Sequence, residues 1–296
     1  MHVFVTGATG WIGSAVVDDL LDAGHEVTGL ARSEVSAAAL ERKGARIRRG
    51  DLDDLDGLRA GAEEAEAVIH LANKHDWGNP AETNRAERSA VQAFADALTG
   101  TGRAFVLAAG LSTLAKGRPA TESDLSPAIG PGSHRGGSEN LALEYAEKGM
   151  RVISVRFAPS VHGVGDHGFV SAIVAAARKH GVSGYLGDGT ASWAAVHHTD
   201  AARLVRLGLE GAPTGSLLHA VAEEAVTTRE IAEAVGRMLD VPMVSVAPEK
   251  AGEHFGFVGR FFALDMSASS DRTRELLKWT PYGPSLAEDI EASAYA

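Results

Sequence analysis

MHVFVTGATGWIG, residues 1–13, is the stretch on which the fold turns. The apolar run Val3, Phe4, Val5 stops at Thr6-Gly7, and glycines recur at Gly10 and Gly13 before the helix-like Ser14-Ala15-Val16-Val17. Strand, glycine turn and helix in this order open a dinucleotide-binding βαβ unit. Gly7 permits the tight turn, and Gly10 lets backbone approach a pyrophosphate that faces the positive end of the helix dipole. Gly13 has no side chain, so helix and strand can pack closely. The expected cradle is Gly7, Thr9, Gly10, Trp11, Ile12 and Gly13.

Outward from this unit, strand and helix signals alternate. A helix is predicted over 14–23, closed by Gly24, and a second strand over 26–31. Where that strand ends, a chain that prefers NAD carries an acid for the adenosine ribose hydroxyls. Here Ala31 is followed by Arg32 and Ser33. An Arg suits a 2′-phosphate, so NADPH is expected over NADH, the plain alternative being a solvated surface Arg. A helix over 36–43 leads to a strand over 45–49 and to Asp51-Leu52. Asp51 can accept from an adenine amine while Leu52 packs on the ring, although Asp51 read alone is a turn residue. A fourth strand over 67–71 runs into Leu71-Ala72-Asn73, whose small residue allows close backbone approach to a cofactor. A helix over 82–98, a fifth strand over 104–109 and a sixth over 152–157 follow. This rhythm alone favours an α/β, doubly wound parallel sheet. Later, Thr227 or Thr228 caps a helix to about residue 239 with Glu230 set for a capping box. The Phe- and Gly-rich stretch 254–266 reads as a substrate lid or as core packing.

The chain has 296 residues, ordinary globular composition and a formal net charge of −11. That charge disfavours nucleic acid or an anionic membrane surface as the main partner. With no cysteine there are no disulfides, thiolate catalysts or Cys-ligated metals, which fits a cytoplasmic location. The first strand has no basic segment before it, so no signal peptide is expected, and no apolar run approaches the ~20 residues of a membrane helix. Twelve histidines invite a metal site, but there is no HExxH pattern and none is expected.

Several further stretches carry a resemblance. TGATGWIG (6–13), GDLDD (50–54), IHLA (69–72), RFAPSVHG (156–163), GDG (187–189), VHHTDAA (196–202) and RELLKWTP (274–281) together resemble the short-chain dehydrogenase/reductase superfamily. The likeness is to its extended group, which includes sugar-nucleotide epimerases and dehydratases. It implies a Rossmann-type sheet over 1–160 and a smaller C-terminal substrate lobe over 161–296, packed as one unit. A homodimer through the helices around 82–98 and 138–148 is a family-level expectation.

The resemblance also implies catalysts that the residues do not supply at the expected spacing. The family uses a Ser or Thr after strand five and a Tyr-x-x-x-Lys pair opening the next helix, the Tyr exchanging a proton at a carbonyl oxygen. By spacing these positions fall on Gly110, Arg135 and Glu139. Arg is permanently charged and a poor proton donor, and Glu reverses the Lys charge. Tyr145 and Lys148 are three apart, near the helix's far end, and read as surface residues. Ser112 would share a face with position 110 if the chain stays extended, or be a structural Ser. His162, replacing the family's Tyr in RFAPSVHG, is the first substitute for the proton donor, because histidine titrates near working pH. Tyr185 follows it, with His134 and His197 behind. Arg135 can orient a carbonyl or anionic oxygen. Asn84 matches the family's NxxGT helix motif, but Glu87 and Arg88 stand in place of Gly-Thr. Between GDG and VH the chain has Trp193 and no diphosphate-binding Arg, which favours an apolar substrate.

The reading these residues favour is an NADPH-dependent oxidoreductase of the atypical extended type, acting on a small, fairly apolar carbonyl or related compound. The rivals are a non-catalytic NADP(H)-binding sensor or scaffold and a sugar-nucleotide epimerase or dehydratase.

Overall fold

The computed structural model describes residues 1–76, 78–292 and 294–295. Seven strands form the main sheet: β1 (His2–Thr6), β2 (Glu26–Ala31), β3 (Arg46–Arg49), β4 (Ala67–His70), β5 (Ala104–Gly110), β6 (Arg151–Phe157) and, much later, β10 (Ser216–Ala220). Their spatial order is β3-β2-β1-β4-β5-β6-β10, and every neighbouring pair is parallel. The order reverses between β1 and β4. At such a switch point the loops leaving the two strands diverge and open a crevice at the strands' C-terminal ends. The chain is a Rossmann-type α/β protein.

Alternation along β1 shows why the sheet is covered twice. Val3 and Val5 belong to one buried cluster and Phe4 to another, on opposite faces. The first face carries α1 (Trp11–Asp22), α2 (Glu34–Lys43) and α7 (His198–Gly211), through Val16, Leu20, Leu40 and Val205. The second carries α3 (Leu55–Glu64), α4 (Pro80–Leu98) and α5 (Ser138–Leu143), through Leu58, Val91, Phe94 and Leu141. The helix starts are locally encoded. Ser33 and Ser36 make a reciprocal capping box, Asp54 accepts from Gly57 N–H, and Asn79 accepts from Glu82 N–H ahead of Pro80. α2 and α4 each begin two residues earlier than the apolar periodicity predicts, because the capping residues are polar.

The remaining elements build the smaller lobe. They are β7 (Ser160–His162), α6 (Phe169–His180), β8 (Ser183–Leu186), β9 (Ser192–His197), β11 (Glu223–Thr227), α8 (Thr228–Leu239), β12 (Met243–Val246), α9 (Ala251–Phe255), α10 (Gly259–Phe262), α11 (Asp271–Leu277) and α12 (Leu286–Glu291). β9 joins β11 and β7, while β8 pairs with β12. Thr227 caps α8 in a capping box with Glu230, as its spacing predicts. One expectation changes, and one open alternative is resolved. A cut at residue 160 does not follow the sheet, because α7 packs on the first face and β10 pairs with β6. The stretch 254–266 folds into short helical turns with Phe255, Val258, Phe262 and Met266 buried, which is core packing.

Candidate functional site

The crevice begins at the glycine turn. Gly7 is left-handed (φ 69°), and a Cβ there would lie 2.7 Å from Ala72 N, so β1 and the end of β4 touch backbone to backbone. A Cβ on Gly13 would lie 2.0 Å from Gly7 O, which holds α1 directly against the turn. Gly10 caps α1 with no side-chain acceptor and no acid follows in the first turn, leaving the first N–H groups of a 12-residue helix facing outward. Thr9 and Gly10 are exposed, and Trp11 and Ile12 are half-buried. Such a cradle fits a dinucleotide's pyrophosphate. Arg32, at the end of β2, is exposed and makes no hydrogen bond or ion pair among the described residues, while Ser33 is committed to the α2 cap. Asp51 accepts from Asp53 N–H in a tight turn, and Leu52 is buried beside Leu30 and Leu58.

Beneath the crevice lies a buried polar chain that ends on Arg135. Ala72 N–H donates to Thr6 Oγ1 at 3.4 Å, and Thr6 Oγ1 meets His70 Nδ1 at 2.7 Å. The other ring nitrogen of His70, wholly buried, lies 3.8 Å from Glu87 Oε1. The assignment that fits best has Thr6 giving its proton to Nδ1, with Nε2–H turned towards the carboxylate but too far from it to hydrogen bond. Glu87 is 1% exposed, yet it accepts from Asn73 Nδ2 at 2.9 Å and from Arg135 Nη2 at 2.6 Å. Burial pushes its carboxyl up, but the Arg135 guanidinium, His70 and these hydrogen bonds outweigh that and hold it below the ordinary value. Burial pushes the His70 ring below the ordinary histidine value, against the pull of the Glu87 carboxylate.

The segment that carries Arg135 is held tightly. Arg135 itself is left-handed (φ 51°), as are Gly136 and Gly137. A Cβ on Gly136 would lie 2.4 Å from Asn84 O, and Arg88 Nη1 donates to Gly136 O at 2.8 Å. Glu87 and Arg88, the two departures from the helix motif on α4, thus grip Arg135, which stands at the expected Tyr position, and its neighbour Gly136. Opposite charges at two departures in one chain were the signal in the sequence, and spacing alone did not pair them. Non-glycine residues with positive φ are His75, Thr113, Arg135, Asp240 and Lys278. The last two cap α8 and α11, whereas the first three sit in loops that follow β4 and β5, on the crevice edge.

Three histidines complete the rim. His75 and His134 are pushed below the ordinary histidine value, first by partial burial and then by the Arg135 guanidinium. His167 stacks edge-on against Trp11, whose indole N–H donates to Val161 O, and lies near enough to act electrostatically on His75. Arg135, Asn73, His75, His134, His167 and Trp11 are thus linked by contacts and charge effects near the glycine turn.

Other expected site residues lie elsewhere. His162 is wholly buried, its Nδ1 2.5 Å from Asp289 Oδ2 on α12, so the ring ties the lobe to β7 and presents no atom to a substrate. Trp193 is likewise enclosed, donating to Phe261 O and packing on Phe169 and Phe262, so it forms no substrate surface. The extended path that would aim Ser112 ends with β5 at Gly110, and the chain turns at Ser112-Thr113. Tyr185 lies on β8 with the Arg229 guanidinium over its ring at 4.4 Å, within the smaller lobe. Glu139, at the expected Lys position, is buried against Arg156.

Residues 3–216 match the model of the NAD dependent epimerase/dehydratase family. An uncharacterized protein of Schizosaccharomyces pombe is 42% identical over 296 residues, covering 100% of both chains. One of Saccharomyces cerevisiae is 42% identical over 297 residues, covering 99% of each. Among solved structures, the UDP-glucuronic acid 4-epimerase of Bacillus cereus in complex with NAD superposes with a TM-score of 0.78 at 18% identity, covering 100% of this chain and 98% of the other. That likeness is one of fold.

Proposed function

The chain belongs to the NAD dependent epimerase/dehydratase family, and from that premise we propose that it is an NADPH-dependent oxidoreductase that reduces a small carbonyl compound. The observation that carries this reading is the guanidinium of Arg135, anchored by Glu87 beside the mouth of the glycine turn. The turn, with Gly7, Gly10, Gly13 and the start of α1, would hold the pyrophosphate, while Leu71, Ala72 and Asn73 would border the nicotinamide ribose. The bound nucleotide supplies a hydride for the carbonyl carbon. Arg135 would hold the carbonyl oxygen and stabilise the negative charge that develops on it, without releasing its own proton. The proton that completes the alcohol would come from His75 or His134 on the rim. Both titrate below the ordinary histidine value, so they carry a transferable proton only at lower pH. Accordingly kcat/KM is expected to rise as the pH falls through and below the usual histidine range. A profile flat across that range would assign the proton to water.

The deciding experiment follows NADPH absorbance with a panel of aldehydes, ketones, imines and quinones. Turnover supports the reading. Tight NADPH binding with no turnover across the panel would replace it with a non-catalytic NADP(H)-binding role.

The preference for NADPH rests on Arg32, exposed at the end of β2 where no acid repels a 2′-phosphate. Arg32→Ala is expected to weaken NADPH by about tenfold or more, the scale of a charge-assisted hydrogen bond of about 1.5–3 kcal/mol, and NADH by less than about twofold. Fluorescence titration of both nucleotides checks this, and equal losses would remove the assignment.

A further inference from the structure

We propose that Arg135 is the receptor for a carboxylate on the substrate, so that the compound reduced is a small oxo acid. This deepens the reductase reading and takes its active site from it. Three observations support it. First, Glu87 accepts only one Nη2 hydrogen of the guanidinium, so the other Nη2 hydrogen and its neighbour on Nη1 or Nε form a parallel pair that donates to nothing among the described residues. Second, the side chain of Arg135 is 22% exposed while that of Glu87 is wholly enclosed, so the charge is neutralised from the buried side and the guanidinium keeps access to solvent. Third, the group is fixed before any ligand arrives. The left-handed backbone at Arg135, the Arg88 bond to Gly136 O, and the Asn73 and His70 contacts to Glu87 leave the fork one direction to point.

A planar fork with parallel N–H groups matches the geometry of a carboxylate, and its rigidity removes much of the ordering cost of binding. The rim is chemically consistent. His75, His134 and His167 are neutral or cationic, never anionic, so none repels a carboxylate. The acids of the neighbouring loop are engaged elsewhere: Asp53 and Glu82 hold Lys74, and Asp76 accepts from the N–H groups of Gly78 and Asn79. With Trp193 in the core, the ground for an apolar substrate is gone.

The test compares acids with their own methyl esters: pyruvate, 2-oxobutanoate and phenylpyruvate. Each is titrated into the protein–NADPH complex by nicotinamide fluorescence, and turnover is followed separately. At least one acid is expected to bind about tenfold or more tightly than its ester. Arg135→Lys keeps the charge that Glu87 needs but loses the fork. It is expected to weaken the acid about tenfold more than it weakens the ester, whose carbonyl Arg135 also holds. Arg135→Met should do the same where it folds. Equal affinity for acid and ester in all three pairs, or no binding of any acid, overturns the inference. If acids bind with this pattern and nothing is reduced, the carboxylate receptor stands and the reductase reading falls. If esters are reduced and bind as well as acids, the reductase reading stands and the receptor falls.

Discussion

Replacing Glu139 with Ala is expected to destabilise the folded chain by about 3–5 kcal/mol, the cost of stranding a buried charge. Arg156, on β6, is wholly buried. Its Nε donates to Glu139 Oε1 at 2.8 Å and its Nη2 to Oε2 at 3.1 Å, so the pair is met at two points. Nη1 donates to Asp124 O at 2.7 Å, and Ser154 Oγ donates to Glu139 Oε1 at 2.5 Å. Every polar atom of the carboxylate is engaged from β6, which runs beside β5 at the crevice edge. Removing the acid leaves a guanidinium with one carbonyl and the edge of His219 in place of a counter-charge. Urea unfolding of Glu139→Ala against the parent checks this, the midpoint falling with an unchanged slope. Glu139→Gln keeps the hydrogen-bonding shape and should lose less. Glu139→Lys places two cations in one dry site and should lose at least as much as Ala. A loss below about 1 kcal/mol for Ala would mean that water reaches Arg156 and the pair is not truly buried.

That pair also explains what the sequence made legible and what it did not. Strand positions were legible because β1, β4 and β5 are buried on both faces and read as short apolar runs between turn residues. The glycine turn was legible because each glycine answers a separate steric demand. Helix starts were less so, since Ser33, Asp54 and Asn79 are polar and join the helix only through their caps. The polar network was hidden for a different reason. Glu87, Arg135, Asn73 and His70 are contributed by α4, the segment before α5, and β4, and nothing in linear spacing says that they meet. His162 misled in the opposite sense. Its type and position suit proton transfer, but Asp289 lies 127 residues away and its arrival from α12 closes the ring off. Trp193 misled because a large aromatic beside a turn serves a surface or a core equally well, and only the packing of α10 against β9 decides.

Gly13→Ala is expected to lower the affinity for NADPH and NADH alike by at least roughly two orders of magnitude, about 2.7 kcal/mol. A Cβ on residue 13 would stand 2.0 Å from Gly7 O and 2.8 Å from Gly7 C, both backbone atoms that no rotamer can move aside. Relief requires α1 to retreat from β1 by about 1 Å, and close-packed interiors transmit such a shift. Gly7 O also accepts Gly10 N–H at 2.9 Å, so the retreat opens the turn that aims the free N–H groups of α1. Gly10→Ala separates folding from binding. Its φ of −74° suits any residue and its Cβ would meet only Gly7 O at 3.2 Å, so the chain should fold normally. The new methyl would nevertheless project from the exposed cap where the pyrophosphate must approach, so binding should still weaken. Titrating both nucleotides against both variants reads the result directly. Equal losses for NADPH and NADH would place the glycine turn on the pyrophosphate common to the two, just as the unequal loss expected of Arg32→Ala would place that residue on the 2′-phosphate that only one of them carries. Unchanged binding in Gly10→Ala would move the nucleotide away from the turn, and with it the premise that Arg135 stands beside the reacting carbonyl.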